Sequence, residues 1–488
     1  MANPILIIHG WSDNYESFLP LKAWLNDRGY PAQQVFFGNY ESMEDHVTFD
    51  DLAVGLQTRF EEMQKTGVLP RFAPFSLDVI VHSTGAPVVR HWLAYHLSEI
   101  CKGDMTRCPI RCLIMLAPAN FGSRLAAQGK TALAKLFRGG VTHGFQTGQR
   151  ILEGLELGSP VLWRMAEKDL FSKRSFYPCD PDHGPFVFIL SGTSTYGELK
   201  GLVAQGANED GSDGTIRASA ASLNSIKLTV DYRQPSRPVI QAQRQINSPF
   251  AFMLVPEKNH SEIVPRDHMD SDHPTFHIIP KCLGVGNAVQ YERLRLEFDQ
   301  TNEQLYAQER QKPDGERVHT YQQFLVHVHD ELENDVLDYR LDFHIIDSSI
   351  TQRVWSDTPG TLTKLQQYQK YTQFLQEKVI ADVQPHSVNP SYRTFSINLD
   401  RLKELQGEIE REPNKPYIAM NLDATGPTRD LTYDTDALHY LPVQPPIPDD
   451  QGRMVDFFKA NTSTFVEIVL ERVPSRNVVD VVWGNIVG

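Results

Sequence analysis

Cysteine is scarce in this 488-residue chain. The five present, Cys101, Cys108, Cys112, Cys179 and Cys282, form no C-x-x-C pair. That leaves reduced, structural thiols as the expectation. Long apolar runs are missing too. No stretch of about 18 uninterrupted apolar residues offers a membrane span, and the chain opens on Met1-Ala-Asn-Pro followed at once by an apolar strand, without a basic region or cleavage site. A cytoplasmic location is therefore expected, with transient contact at a membrane surface left open. Positive charge is in short supply, with 47 Lys+Arg against 61 Asp+Glu and a formal net charge of −14. Neutralising a nucleic-acid backbone needs a basic surface, so a nucleic-acid partner is not expected.

The charge is unevenly spread. Residues 1–285 carry 27 basic against 29 acidic side chains, a net of −2, which leaves 20 against 32, or −12, for residues 286–488. Such a shift predicts two domains, 1–285 and 286–488, with the acidic second one free to recognise a protein partner.

In the first part, short apolar runs alternate with helical patterns. Ile5–Ile8, Val35–Phe37, Leu77–Val81, Ile110–Leu116, Phe186–Leu190 and Phe250–Val255 read as strands. Between them, Ser17–Arg28, Phe49–Met63 and the stretch from Ala86 place apolar residues at helical spacing. This is the pattern of an α/β fold with a doubly wound, mostly parallel sheet. Reactive groups in such sheets gather beyond the carboxyl ends of the strands.

Those ends are informative. Leu77–Val81 runs through His82 into Ser83-Thr84-Gly85, a strand-turn-helix bend with a small residue at Gly85. The usual G-x-S-x-G pattern is only partly met, because Val81 stands at the first glycine. His9-Gly10-Trp11 follows the first strand, where the Trp11 amide could face a developing oxyanion, or the segment could be a plain tight turn. Thr84, at a helix start, could donate a second amide. Asp213 lies in the loop Asn208–Ile216, which could equally be a solvated turn or a weak calcium loop lacking its closing glutamate. His260 follows the last strand, where a lone histidine is often structural. His268, His273 and His277 compete for a base role or for a metal site among Asp267, Asp270 and Asp272. Asp210 and Asp182 are alternative acids. No fixed ligand framework supports a metal, and no cofactor is expected.

Together, Ile-Leu-Ile-Ile-His-Gly-Trp, Val-His-Ser83-Thr-Gly, Leu116-Ala-Pro-Ala-Asn-Phe-Gly-Ser, Ser212-Asp213-Gly-Thr-Ile and Asn-His260-Ser-Glu-Ile-Val resemble the α/β-hydrolase family, in particular the bacterial lipases and esterases. Residues 1 to about 280 carry the likeness, beginning at the oxyanion strand as in the small lipases. The resemblance implies a Ser83–His260–Asp213 triad, with the Trp11 and Thr84 amides as oxyanion donors. It also implies hydrolysis of a lipid or other apolar acyl ester. A thioesterase or amidase with the same triad, or a non-catalytic binding protein on this fold, remains open.

Residues 120–185 are too many for a simple connection, and their amphipathic segments predict a helical cap. Leu152, Leu155, Leu162 and Phe171 are its candidate acyl-contacting residues. Beyond 285, alternation at Leu294/Leu296/Phe298, Leu337–Ile345, Phe395–Leu399 and Val466–Leu470 predicts antiparallel strands. Helices over Thr361–Val379 and Asp400–Ile409 complete a β-rich, sandwich-like domain.

Overall fold

The computed structural model describes residues 2–10, 15–30, 35–38, 44–67, 73–127, 148–173, 176–179, 184–196, 209–233, 238–245, 249–349, 366–434, 439–443, 447–449 and 451–478. The chain divides into two compact units. The first comprises residues 1–225, 244–323 and 460–463, and the second 226–243, 324–459 and 464–488.

The first unit is built on β1 (Ile5–Ile8), β2 (Val35–Gly38), β3 (Leu77–His82), β4 (Ile110–Leu116), β5 (Phe186–Gly192) and β8 (Ala251–Val255). Their order is β2-β1-β3-β4-β5-β8 and every neighbouring pair is parallel. Because β1, β3, β5 and most of β4 and β8 are buried along their length, their sequences are continuous apolar runs rather than alternations. Between β1 and β3 the strand order reverses direction, which opens a crevice at their carboxyl ends.

Helices α1 (Leu19–Asp27), α2 (Phe49–Lys65) and α3 (Gly85–His91) follow β1, β2 and β3. Helix α2 starts at a capping box, in which the Thr48 side chain accepts from Asp51 N while Asp51 accepts from Thr48 N. Between β4 and β5 lie α4 (Gln149–Leu155) and α5 (Pro160–Asp169), the latter capped by Ser159 with Pro160 in its first turn. Helix α6 (Pro274–Leu283) follows β8.

The alternation read at Leu294, Leu296 and Phe298 is not a strand. These residues lie in a 22-residue helix, α7 (Ala288–Glu309), whose buried positions Tyr291, Leu294, Phe298, Asn302 and Tyr306 recur every three to four residues, while Leu296 is exposed. Helix α7 covers the open edge of the sheet. The Asn302 side chain accepts from Leu254 N at 2.8 Å and donates to Phe252 O at 2.8 Å, satisfying the edge strand β8. Tyr291 donates to Val187 O and accepts from Ala251 N. The helix therefore belongs to the first unit, and the division falls at Gln323/Phe324 rather than at 285. A charge count registers the solvated face of α7, not the side on which it packs.

The second unit contains β10 (Tyr339–Ile346), β11 (Ile380–Pro385), β12 (Tyr392–Asn398), β13 (Tyr417–Ala424) and all but the end residues of β6 (Ser225–Asp231), β7 (Val239–Arg244), β9 (Tyr321–Asp330) and the strand Thr462–Leu470. A six-stranded sheet runs β11-β12-β9-(462–470)-β6-β7, and β10 pairs antiparallel with β13 in a smaller sheet. Phe395, Ile397, Val326 and Ile468 of the first sheet share one core with Ile345, Met420 and Leu422 of the second. Helix α8 (Leu399–Ile409) adds Leu402 and Leu405 to that core. The β6–β7 pair lies between β5 and β8 in sequence, so the second unit is discontinuous and does not begin at 286.

Candidate active site

Ser83 stands at the carboxyl end of β3, at the bend into α3, with φ of 52°. A non-glycine residue in the left-handed region is strained, and here the strain turns the serine side chain out of the strand direction. Space for the bend comes from two glycines. A Cβ on Gly85 would lie 2.9 Å from His9 O and 3.0 Å from Ile8 O. A Cβ on Gly10 would lie 2.7 Å from Ser83 Cβ and 3.2 Å from His82 Nδ1. Val81, which occupies the usual first glycine of the elbow, is fully buried in β3. Gly10, in the segment after β1, leaves the space beside Ser83 Cβ open.

His260 follows β8, and its Nε2 lies 2.9 Å from Ser83 Oγ. Its Nδ1 lies 2.9 Å from Asp213 Oδ2. The other carboxylate oxygen of Asp213 accepts from Thr215 N at 3.0 Å and Ile216 N at 2.7 Å, so the acid is held by its own loop. His260 N donates to Asp213 O at 2.8 Å, fixing the two loops to one another. The Asp213 and His260 side chains are buried at 0% and 1% exposure, which fixes the ring between acid and serine.

Several supporting residues have no signature in the sequence. A Cβ on Gly192, the last residue of β5, would lie 2.1 Å from Lys258 O and 3.1 Å from Asp213 Cβ, so both loops pass over a backbone without a side chain. Tyr196 OH lies 3.2 Å from Ser261 Oγ and 3.5 Å from Thr215 Oγ1, between the histidine and acid loops. Burial pushes its phenol up to about 12, so it stays protonated. His82 donates from Nε2 to His260 O at 2.9 Å, and its ring centre is 4.9 Å from that of His260. Desolvation first, and then the neighbouring His260, hold the His82 imidazole well below its usual range, so it is neutral.

Beneath the elbow, Arg90 of α3 makes a bidentate pair with Asp169 of α5 at 2.8 and 3.0 Å. It also donates to Asn120 O at 2.8 Å, and Tyr177 OH donates to Asp169 at 2.7 Å. Both charged side chains are completely buried. This network ties the helix after Ser83 to the inserted helices.

The structure sorts the remaining candidates. Thr84 is buried before α3, and among the described residues its amide has no backbone acceptor, as an oxyanion donor requires. Trp11 and Asp182 lie outside the described residues. Asp210 is engaged elsewhere, accepting from Tyr321 OH at 3.0 Å and bonded to His319 Nδ1 at 2.6 Å. His268 and His277 are exposed. His273 caps α6 and bonds Glu262 O at 2.9 Å, so these three histidines do not converge on a common point among the described residues. Leu152, Leu155, Leu162 and Phe171 are all buried. Helix α4 packs on α2, where a Cβ on Gly154 would meet the Phe49 ring at 2.7 Å, and α5 packs on α3. All five cysteines are buried and unpaired.

No protein-family model and no curated protein matches the sequence. Among solved structures, phospholipase PlaB from Legionella pneumophila in complex with thio-NAD superposes with a TM-score of 0.78 at 24% identity, over 99% of this chain and 96% of that one. A second structure of the same Legionella phospholipase gives 0.75 at 23% identity with the same coverage. At such identities the likeness is one of fold, and it extends through both units. The chain has an α/β-hydrolase fold joined to a β-rich second unit, an architecture it shares over its whole length with a bacterial phospholipase.

Proposed function

We propose that this protein is a serine carboxylic-ester hydrolase of the lipase, phospholipase or esterase type. The observation that carries the reading is the unbroken series Ser83 Oγ, His260 Nε2, His260 Nδ1 and Asp213 Oδ2, with 2.9 Å at each hydrogen bond and the serine at a strained elbow. In this reading His260 takes the Ser83 proton as Oγ attacks the ester carbonyl. Asp213 holds the tautomer with the proton on Nδ1 and stabilises the imidazolium that forms. The Thr84 amide, together with that of Trp11, receives the charge developing on the carbonyl oxygen. His260 then protonates the departing alcohol, and water drawn to the acyl-enzyme repeats the cycle. The neutral state of His82 suits this scheme, since a second charge beside His260 would oppose its protonation.

The substrate we favour is a lipid or another apolar acyl ester. The fold shared with a phospholipase and the apolar character of Leu152, Leu155 and Leu162 in the inserted helices, and of Phe171 just after them, support it. A fluorophosphonate probe should label the protein at Ser83 and leave Ser83→Ala unlabelled. Hydrolysis of p-nitrophenyl esters should rise with chain length, because each buried methylene contributes about 0.8 kcal/mol. Phospholipid vesicles should be cleaved as well. Absence of labelling would favour a non-catalytic binding protein on this fold, and a preference for acetate esters would remove the lipid reading.

A further inference from the structure

Away from the serine, three side chains of the first unit converge on a point between α2 and α3. Asp50 lies in the first turn of α2, set there by the capping box at Thr48 and Asp51. His91 ends α3, and the helix continues as a π-helical turn over Trp92–Leu97 that contains His96. The π turn matters. On an α-helix two residues five apart point about 140° away from each other, whereas i→i+5 winding returns them to one face. His91 Nε2 and His96 Nε2 each lie 3.1 Å from the same Asp50 oxygen. The three ligand atoms all fall within 4.8 Å of one another.

We propose that Asp50, His91 and His96 form a binding site for a divalent transition-metal ion such as Zn2+. Ligand atoms around a four- or six-coordinate ion with metal–ligand bonds near 2.0–2.1 Å are separated by about 2.9–3.4 Å, and both observed nitrogen–oxygen separations fall in that interval. Two imidazoles and a carboxylate select zinc, cobalt, nickel or copper over the oxygen-seeking calcium and magnesium. The His91 ring is held in place by Tyr95, stacked at 4.4 Å between ring centres. Asp50 is well exposed, so an ion can enter from solvent and keep water in its remaining positions. Bound there, it would clamp α2 to the helix that begins two residues after Ser83. The role is structural, and the site does not depend on the hydrolase reading.

The test uses the full-length protein, stripped with a chelator and titrated with Zn2+ or Co2+ alone. The expected result is one tight equivalent, with the visible absorption of a Co2+ centre bearing nitrogen ligands and an increase in Tm on metal addition. Asp50→Ala and His96→Gln alter exposed or half-exposed side chains and should fold normally by circular dichroism. Each should weaken binding by at least about tenfold and abolish the Tm increase. His268→Gln, which alters an exposed histidine elsewhere, should bind as the unaltered protein does. Failure of the unaltered protein to bind at micromolar metal, or equal binding by Asp50→Ala and His96→Gln, would overturn the assignment.

Discussion

Removing the carboxylate of Asp169 should damage the first unit more than any substitution in the triad. Arg90 and Asp169 are both fully buried, and among the described residues the guanidinium receives its only carboxylate contact from Asp169, through bonds of 2.8 and 3.0 Å. Asp169→Ala leaves a cation in an apolar interior, a loss of about 3–5 kcal/mol. Tyr177 OH, 2.7 Å from the same carboxylate, loses its acceptor and adds about 1–3 kcal/mol. Set against a domain stability of about 5–15 kcal/mol, the sum brings the variant near its unfolding threshold at room temperature. Urea unfolding followed by circular dichroism should show the midpoint falling by at least about 1 M.

The companion variant separates charge from packing. Arg90→Met with Asp169→Leu removes both ions and keeps the volume, and such exchanges are often neutral or stabilising. The double variant should therefore be more stable than Asp169→Ala by several kcal/mol. If Asp169→Ala lay within about 1 kcal/mol of the unaltered protein, water would be reaching Arg90 and the pair would not be buried as described. If the double variant were as unstable as the single one, shape rather than charge would hold these helices together.

Two further substitutions probe the elbow and the second unit. Gly10→Ala, whose new methyl would press on Ser83 Cβ, should lower kcat/KM on any ester by about 100-fold with the fold intact, while Gly55→Ala, in open space on α2, should leave it unchanged. Equal activity in both would mean that the elbow has room to spare. In the second unit, burial alone would raise the Glu467 carboxyl, but His329 and Lys227 hold it at about 2 against 4.5 for the free group. Because the folded value is the lower one, the stabilisation, about 3 kcal/mol, is fully present above pH 4.5 and is lost as pH falls toward 2. Denaturant titrations between pH 6 and 2 should show a shallower acid limb for Glu467→Gln, and parallel limbs would refute the ion cluster.

The parallel sheet was legible because β1, β3, β4, β5 and β8 are buried on both faces, so each appears as a short apolar block bounded by polar residues. The triad candidates were legible for a related reason, since Ser83 and His260 each fall within a few residues of a strand end. Helix α7 was misread because Leu294, Leu296 and Phe298 alternate within a longer helical period. The uninterrupted 22 residues without glycine or proline, capped by Asn287, were the better signal. The core-facing Asn302 weakened that signal, and only the edge of β8 explains why an amide belongs there.

What local reading could not supply is a partner distant in sequence. Nothing near Arg90 indicates that its anion lies 79 residues away, and nothing near Phe252 indicates that its carbonyl will be met from α7. The elbow shows the same limit from the opposite side. Its motif lacks a glycine at Val81, and by pattern alone that absence counts against a nucleophile. Yet the physical requirement is that no side chain fill the space beside Ser83 Cβ, and any strand adjoining β3 can meet it. Gly10, two residues beyond the end of β1 and more than seventy positions earlier in the chain, leaves that space open, since a Cβ there would lie 2.7 Å from Ser83 Cβ. A motif written along one strand is thus only part of a three-dimensional packing condition, and here the room around the elbow depends on Gly85 after Ser83 and on Gly10 from a segment distant in sequence.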